Sequence, residues 1–154
     1  MMKLCSDVLS ALAGKTLVTA ESLTGGGIGA ALTAVPGSSA VYKGGIISYT
    51  NWVKENILGV SRSTLESHGA VSCRTAEEMA AGARKLLQAD VAVSVTGLAG
   101  PGGDEFGNPV GTVCIGFCNQ RESFAVKYRF AGTREDVRRQ TIQAALKLVL
   151  DNNQ

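Results

Sequence analysis

The chain has 154 residues, of which 45% are hydrophobic and 18% are charged, and its formal net charge is +2. A chain of this length can bury a continuous core without disulfides or metals, so we expect a single domain over residues 1–154. The small net charge argues against a nucleic-acid-binding surface and against a disordered acidic tail. A small-molecule partner is therefore favoured over a polymeric one.

The cysteines and the N-terminal segment indicate the compartment. Cys5, Cys73, Cys114 and Cys118 lack the paired close spacings of a zinc site and are interpreted as free thiols in a reducing environment. The first apolar residues are spaced helically and include Asp7, which is typical of an amphipathic helix and not of a signal peptide. Since no apolar run is long enough to cross a membrane, we expect a cytoplasmic protein without membrane association.

The first half of the chain predicts a helix followed by two strand and helix pairs. Residues 15–21 form a β-rich run, and the glycine turn that begins at Thr24 opens a helix ending before Pro36. Residues 41–50 predict the second strand, and Asn51 can cap a short helix after it.

The second half of the chain predicts a helix, a strand, a hairpin and a final helix. Thr75 begins a capping box ahead of an amphipathic helix, and residues 90–96 form a short apolar strand before a glycine-rich loop. Residues 110–118 and 123–130 predict a hairpin, and Thr133 caps the last helix. This order predicts an α/β fold, a three-layer α/β/α sandwich with a mixed β-sheet.

The glycine turn after the first strand matches a nucleotide-binding motif only in part. Gly25, Gly27 and Ala30 have the spacing of a dinucleotide fingerprint, but no acidic residue follows at the distance needed to bind a ribose hydroxyl. The turn still offers backbone N–H groups to an anion, with the hydroxyls of Ser22 and Thr24 beside them. A purely structural turn that packs a helix on the sheet is an equally good interpretation.

The segment that contains Ser39 and Lys54 favours acyl-transfer chemistry, because a desolvated lysine can take the proton of a serine nucleophile. His68 is the only histidine and is interpreted as a structural helix end before Gly69, which disfavours a histidine-based triad or metal site. Lys54 is then the candidate base, beside the hydroxyl of Tyr49. An ordinary turn at Ser39 and a solvated helix position for Lys54 are the alternatives.

Six sequence blocks carry a resemblance to a known family. They are AESLTGG at 20–26, VPGSSAVYKGGIISYTN at 35–51, HGAVS at 68–72, VTGLAGPGG at 95–103, PVGTV at 109–113 and TREDVRRQ at 133–140. Together they resemble the CinA C-terminal domain family, the nicotinamide-nucleotide amidases, in a stand-alone form. The resemblance implies a three-layer α/β fold, hydrolysis of nicotinamide mononucleotide to nicotinic acid mononucleotide and ammonia, and a homodimer or higher homo-oligomer.

The resemblance also implies roles for individual residues. Ser39 corresponds to the nucleophile, Lys54 to its base and Tyr49 to an assisting hydroxyl, while Leu23 stands where members commonly carry cysteine. No metal or organic cofactor is expected. Residues expected to bind the substrate are Ser22, Thr24, Gly25, Thr96, Gly97, Arg134 and Arg138, and which of the two arginines holds the nucleotide stays open.

Two other functions stay open at this point. A non-catalytic, regulatory nucleotide-binding module could use the same phosphate cradle, and an amidase of the same type could act on another small amide. A pure binding module needs neither Ser39 nor Lys54, whereas only substrate profiling separates the two amidases.

Overall fold

The computed structural model describes residues 1–153 as a five-stranded sheet with helices on both faces. None of the helices in this part of the chain combines the length and the apolar character needed to span a membrane. In chain order the elements are α1 (Met2–Ala11), β1 (Leu17–Glu21), α2 (Gly27–Thr33), a 3₁₀ turn (Ser38–Ala40), β2 (Tyr42–Ile47), α3 (Asn51–Asn56), α4 (Arg62–His68), α5 (Cys73–Leu86), β3 (Val91–Gly97), β4 (Thr112–Cys118), β5 (Ser123–Arg129) and α6 (Arg134–Asp151).

The sheet has the strand order β2-β1-β3-β4-β5, with β2, β1 and β3 parallel and with β4 and β5 antiparallel to their neighbours. Helices α1, α2 and α6 pack on one face, and α5 packs on the other. The predicted α/β fold with a mixed sheet is therefore confirmed. The register aligns Glu21 with Ile47 and with Val95, so the carboxyl ends of the three parallel strands lie at one edge.

Burial along the strands follows from their position in the sheet. All residues of β1 and β4 are buried, as are six of the seven residues of β3, which fits central strands covered by helices on both faces. The edge strand β2 alternates between half-buried and exposed residues along its whole length, and β5 does so from Val126 to Arg129.

Two helix starts show where local patterns succeed and fail. Thr133 caps α6 through a reciprocal capping box with Asp136, as predicted. The predicted start of α5 at Thr75 is wrong, because the Ser72 hydroxyl accepts the Thr75 N–H at 3.1 Å and is the true cap. The Thr75 hydroxyl is buried and donates to the carbonyl of Gly69 at 2.7 Å instead.

Candidate active site

A cavity of about 320 Å³ lies at the carboxyl ends of the three parallel strands. This edge is where α/β sheets commonly bind ligands, because the loops after neighbouring parallel strands meet there. The lining comes from five segments: the turn after β1, the β2–α3 segment, the loop between α4 and α5, the residues around the end of β3 and the start of α6. Its members are Ser22, Leu23, Tyr49, Asn51, Lys54, Ala70, Val71, Thr96, Gly97, Leu98, Ala99, Gly100, Gly102 and Arg134.

Lys54 is a buried lysine at the base of this cavity. It lies on α3, which Thr50 caps through its side chain, and only 1% of the residue is exposed. Its Nζ donates to the carbonyl of Ser48 at 2.7 Å and to the hydroxyl of Ser22 at 3.2 Å. Burial disfavours the charged ammonium and lowers the pKa of Lys54 from 10.5 to about 8. At pH 7 about a tenth of Lys54 is therefore neutral, a far larger fraction than for a lysine with the ordinary pKa of 10.5.

Ser22 is the hydroxyl that Lys54 contacts, and its backbone is fixed on both sides. Its N–H donates to the carbonyl of Val95 on β3 at 3.1 Å, and its own carbonyl accepts the N–H of Gly25 at 3.1 Å. The residue is only 7% exposed but lines the cavity. A serine hydroxyl with a desolvated lysine in hydrogen-bonding distance is the arrangement of an activated nucleophile.

Glu21 stabilises the turn that follows Ser22. Its buried carboxylate accepts the N–H groups of Ile28 at 2.9 Å and Gly29 at 3.0 Å, together with the hydroxyl of Thr24. These three donors compensate the charge, since burying an unsatisfied carboxylate would be very costly. The hydroxyl of Thr24, which the sequence predicts as a substrate donor, is therefore committed to Glu21.

The predicted pairing of Ser39 with Lys54 is wrong. Ser39 is exposed in the 3₁₀ turn ahead of β2, whereas Lys54 lies beyond the opposite end of that strand. At about 3.3 Å per residue, the six residues of β2 separate the two ends by roughly 20 Å. Ser22 replaces Ser39 as the candidate nucleophile, because β1 and β2 are parallel neighbours whose carboxyl ends meet. The sequence feature that could have identified Ser22 as the nucleophile is its position directly after the predicted first strand.

The other predicted side chains line the cavity in different ways. The hydroxyl of Tyr49 contacts Arg134 at 3.3 Å, while its carbonyl, at 3.5 Å, is the group near the Lys54 ammonium. Thr96 is buried and donates to the carbonyl of Ala70 at 2.7 Å, and Gly97 continues the same wall. The Tyr49 hydroxyl is therefore placed at the rim of the cavity and not beside the base.

The two candidate arginines occupy different positions. Arg134 lines the cavity and donates to the carbonyl of Gly100 as well as to Tyr49. Arg138, one turn further along α6, donates from Nε to the carbonyl of Leu23 at 2.9 Å and from Nη2 to that of Thr24 at 3.3 Å. Among the cavity-lining residues, Arg134 and Lys54 are the cationic ones. Arg138 lies behind the turn, next to Gly25.

The remaining chemically reactive side chains lie away from this cavity. His68 is the last residue of α4, and Gly69 follows it with a positive φ of 83° that glycine adopts without strain. The four cysteines are free thiols. Within residues 1–153, no group of three or more His, Cys, Asp and Glu side chains is arranged to hold a metal ion.

The CinA C-terminal domain profile matches residues 2–152. The chain belongs to the CinA C-terminal domain family. A CinA-like protein of Endomicrobium trichonymphae is 44% identical over 151 residues, covering 94% of this chain and 35% of the relative. A CinA-like protein of Thermotoga neapolitana is 44% identical over 133 residues, covering 86% of this chain and 32% of the relative. The chain thus spans about a third of the length of these relatives.

Solved CinA-family structures share the fold over almost the full chain. A CinA superfamily protein from Klebsiella pneumoniae superposes with a TM-score of 0.95 at 36% identity, covering 98% of this chain and 96% of its own. The competence/damage inducible protein CihA from Agrobacterium tumefaciens gives a TM-score of 0.95 at 39% identity, covering 99% and 95%. This CinA-family chain therefore has the architecture of its relatives.

Proposed function

We propose that this CinA-family chain is an amidohydrolase that converts nicotinamide mononucleotide to nicotinic acid mononucleotide and ammonia through an acyl-enzyme on Ser22. The observation that carries the proposal is the distance of 3.2 Å between the Nζ of buried Lys54 and the Oγ of Ser22. A regulatory module that only binds a nucleotide has no use for a desolvated base against a serine hydroxyl. The sequence resemblance supports the choice of amide.

The reaction then runs in two halves. Neutral Lys54 accepts the proton of Ser22, whose Oγ attacks the carboxamide carbon and forms a tetrahedral oxyanion. The oxyanion collapses as the C–N bond breaks, and Lys54 returns its proton to the leaving ammonia. A water molecule then gives a proton to Lys54 and attacks the acyl-enzyme, which releases the carboxylic acid and restores the Ser22 hydroxyl.

The cavity has properties that suit a nucleotide amide. Its volume of about 320 Å³ lies at the small end of the range of ligand pockets. Leu23, Val71 and Leu98 give it an apolar wall against which a pyridine ring can pack. Arg134 is the guanidinium at its rim, and guanidinium groups bind phosphate through paired charge-assisted hydrogen bonds. We therefore assign the phosphate to Arg134.

The proposal is tested by ammonia release from nicotinamide mononucleotide without added metal. Ser22→Ala should lower kcat at least about 1,000-fold, since it removes the nucleophile. Ser39→Ala is the matched control, because it removes a serine hydroxyl at the opposite end of β2, and should retain wild-type turnover. Activity that survives in Ser22→Ala, or disappears in Ser39→Ala, would contradict the assignment of the nucleophile.

The wild-type protein separates the alternative functions. Tight binding of nicotinamide mononucleotide without turnover would favour the regulatory module, and turnover of other small amides alone would favour a different amidase. The homodimer or higher homo-oligomer that the resemblance implies remains a proposal. The exposed side chains of Ile47, the last residue of the edge strand β2, and of Trp52 on α3 support it, and light scattering of the purified protein would test it.

A further inference from the structure

We propose that Arg138 is a positioning residue for this reaction and does not bind the substrate phosphate. It holds the segment from Ser22 to Thr24 so that the hydroxyl of Ser22 and the backbone N–H groups after it keep the geometry needed for attack. The inference rests on the proposed function, since it assigns a role around the same nucleophile.

The contacts of Arg138 are directed at the backbone of the nucleophile turn. Its planar guanidinium donates to two successive carbonyls, those of Leu23 at 2.9 Å and Thr24 at 3.3 Å. Two donors in a fixed fork define both the position and the orientation of the segment they bind. Within residues 1–153 no carboxylate forms an ion pair with Arg138, so these carbonyls are its polar partners.

Hydrogen bonds fix both peptide groups that flank Leu23, and Arg138 supplies one of them. The carbonyl of Ser22 accepts the N–H of Gly25, and the carbonyl of Leu23 accepts from Arg138. In a trans peptide the N–H and the C=O point in opposite directions, so the N–H of Thr24 points away from Arg138. In the part of the chain that the structure describes, the N–H groups of Leu23 and Thr24 have no protein acceptor.

Unpaired N–H groups next to a nucleophile are suited to binding an oxyanion. The N–H of the residue that follows a nucleophilic serine is a recurrent donor to the tetrahedral intermediate, and Leu23 has that position here and lines the cavity. Such donors act only if they are held in place before the reaction. The N–H of Gly25 holds the peptide group that carries the Leu23 N–H, and Arg138 holds the next peptide group, which carries the Thr24 N–H.

The positions of the two arginines predict different kinetic effects. Arg134 lines the cavity and is assigned to ground-state binding of the phosphate, which appears in KM. Arg138 bonds to the turn and is absent from the lining, so its loss should lower kcat and leave KM nearly unchanged.

The first experiment measures kcat and KM of Arg138→Ala with nicotinamide mononucleotide and with nicotinamide riboside, which lacks the phosphate. We expect kcat to fall roughly 10- to 100-fold by misplacement of the reacting groups, with KM within about twofold of wild type. The fall should be equal for the two substrates, and added guanidinium ion should restore part of the rate. Arg139→Ala is the matched control, because Arg139 is exposed and pairs with Asp136 at 3.0 Å.

Two results of this experiment would overturn the proposal. One is an increase in KM that is confined to the phosphorylated substrate, which would make Arg138 a phosphate ligand. The other is unchanged kinetics in Arg138→Ala. If the alanine variant fails to fold, Arg138→Lys, which can donate to one carbonyl at a time, should fold and show a smaller fall in kcat.

A second measurement does not depend on the identity of the amide. Phenylmethanesulfonyl fluoride should sulfonylate Ser22: an S–O bond forms at Oγ, fluoride leaves, and Lys54 takes the proton. Mass spectrometry of the intact protein and of its peptides gives the rate, which should fall by the same factor in Arg138→Ala and stay at the wild-type value in Arg139→Ala.

The labelling result separates the inference from the proposed substrate. Labelling of wild-type Ser22 without turnover of nicotinamide mononucleotide would refute the substrate alone, and the labelling rates would still report on Arg138. Equal rates in wild type and Arg138→Ala would overturn the role of Arg138. A wild-type Ser22 that does not react would overturn the nucleophile and the positioning role together.

Discussion

The two ends of the parallel strands carry similar residue types in different surroundings. At the carboxyl ends, Ser22 and Lys54 are buried against each other. At the amino ends, Lys15 precedes β1, Ser39 precedes β2 and Asp90 precedes β3, and all three are exposed. Water solvates a lysine and a serine at the amino ends and leaves them chemically ordinary. Burial, more than residue type, therefore makes a serine and a lysine a candidate catalytic pair.

The loops explain why the two ends differ. After β1 the chain turns into α2, and after β2 it turns into α3, so two segments converge over one cavity. Glu21, the last residue of β1, is buried and satisfied by the N-terminal N–H groups of α2. Its counterpart at the amino ends, Asp90, accepts the N–H of Thr16 at 2.8 Å near the protein surface.

The largest expected effect comes from replacing the buried lysine. Lys54→Met should lower kcat at least about 1,000-fold, because the base is lost. At pH 7 the free energy of unfolding should rise by about 1–2 kcal/mol, since the buried charge is removed while the Ser48 carbonyl loses one donor. Lys15→Met at the amino end is the control and should change neither quantity appreciably. If Lys54→Met is less stable than wild type, the hydrogen bonds of the Lys54 ammonium compensate the cost of burying its charge, contrary to this prediction.

The pH dependence of wild-type activity is the next largest effect. Because the base must be neutral and its pKa is lowered to about 8, kcat/KM should rise about tenfold per pH unit below that value and level off above it. Because the pKa of Lys54 is lower in the folded state than in the unfolded chain, its buried charge reduces the free energy of unfolding below about pH 8. This destabilisation decreases as the pH rises from about 8 towards 10.5, where the unfolded lysine also deprotonates. Initial rates between pH 6 and 10 measure the first effect. A flat profile between pH 6 and 8 would contradict a lysine base.

The carboxylates Glu21 and Asp90 should differ in how much they stabilise the fold. Glu21→Gln should reduce the free energy of unfolding by about 2 kcal/mol, because both carboxylate oxygens accept backbone N–H groups and the NH2 of glutamine can replace neither, which leaves one buried N–H without an acceptor. Asp90→Asn, the matched change at an exposed site, should cost less than about 1 kcal/mol. Urea denaturation at pH 7 measures the two variants side by side. Equal losses of unfolding free energy in the two variants would contradict the idea that burial distinguishes the carboxyl ends of the strands from their amino ends.

The smallest expected effect concerns substrate binding. Arg134→Ala should raise KM for nicotinamide mononucleotide about tenfold, as expected for the loss of a charge-assisted hydrogen bond, and leave kcat nearly unchanged. The KM for nicotinamide riboside should not change. Arg121→Ala, at the amino-end side near Lys15 and Asp90, is the control and should behave as wild type. An equal increase in KM for the two substrates would show that Arg134 does not bind the phosphate.

Local patterns in the sequence were sufficient for most of the fold. Alternation and capping predict the hairpin of β4 and β5 and the start of α6 at Thr133, because these features depend on residues only a few positions apart. The start of α5 was misplaced by a similar signal, since Ser72 and Thr75 are both good caps and only the folded chain shows that the Thr75 hydroxyl is used by Gly69.

The sequence also indicates Lys54, the glycine turn and the family, but the partners of these groups depend on tertiary structure. Whether Lys54 faces Ser22 or Ser39 depends on the parallel pairing of β1 and β2, which brings their carboxyl ends together and leaves Ser39 at the other end. Arg134 and Arg138 are one helical turn apart, yet α6 presents one to the cavity and the other to the nucleophile turn. Contacts between residues distant in sequence arise only when the strands pair and the helices pack, so they decide which serine is buried beside the lysine.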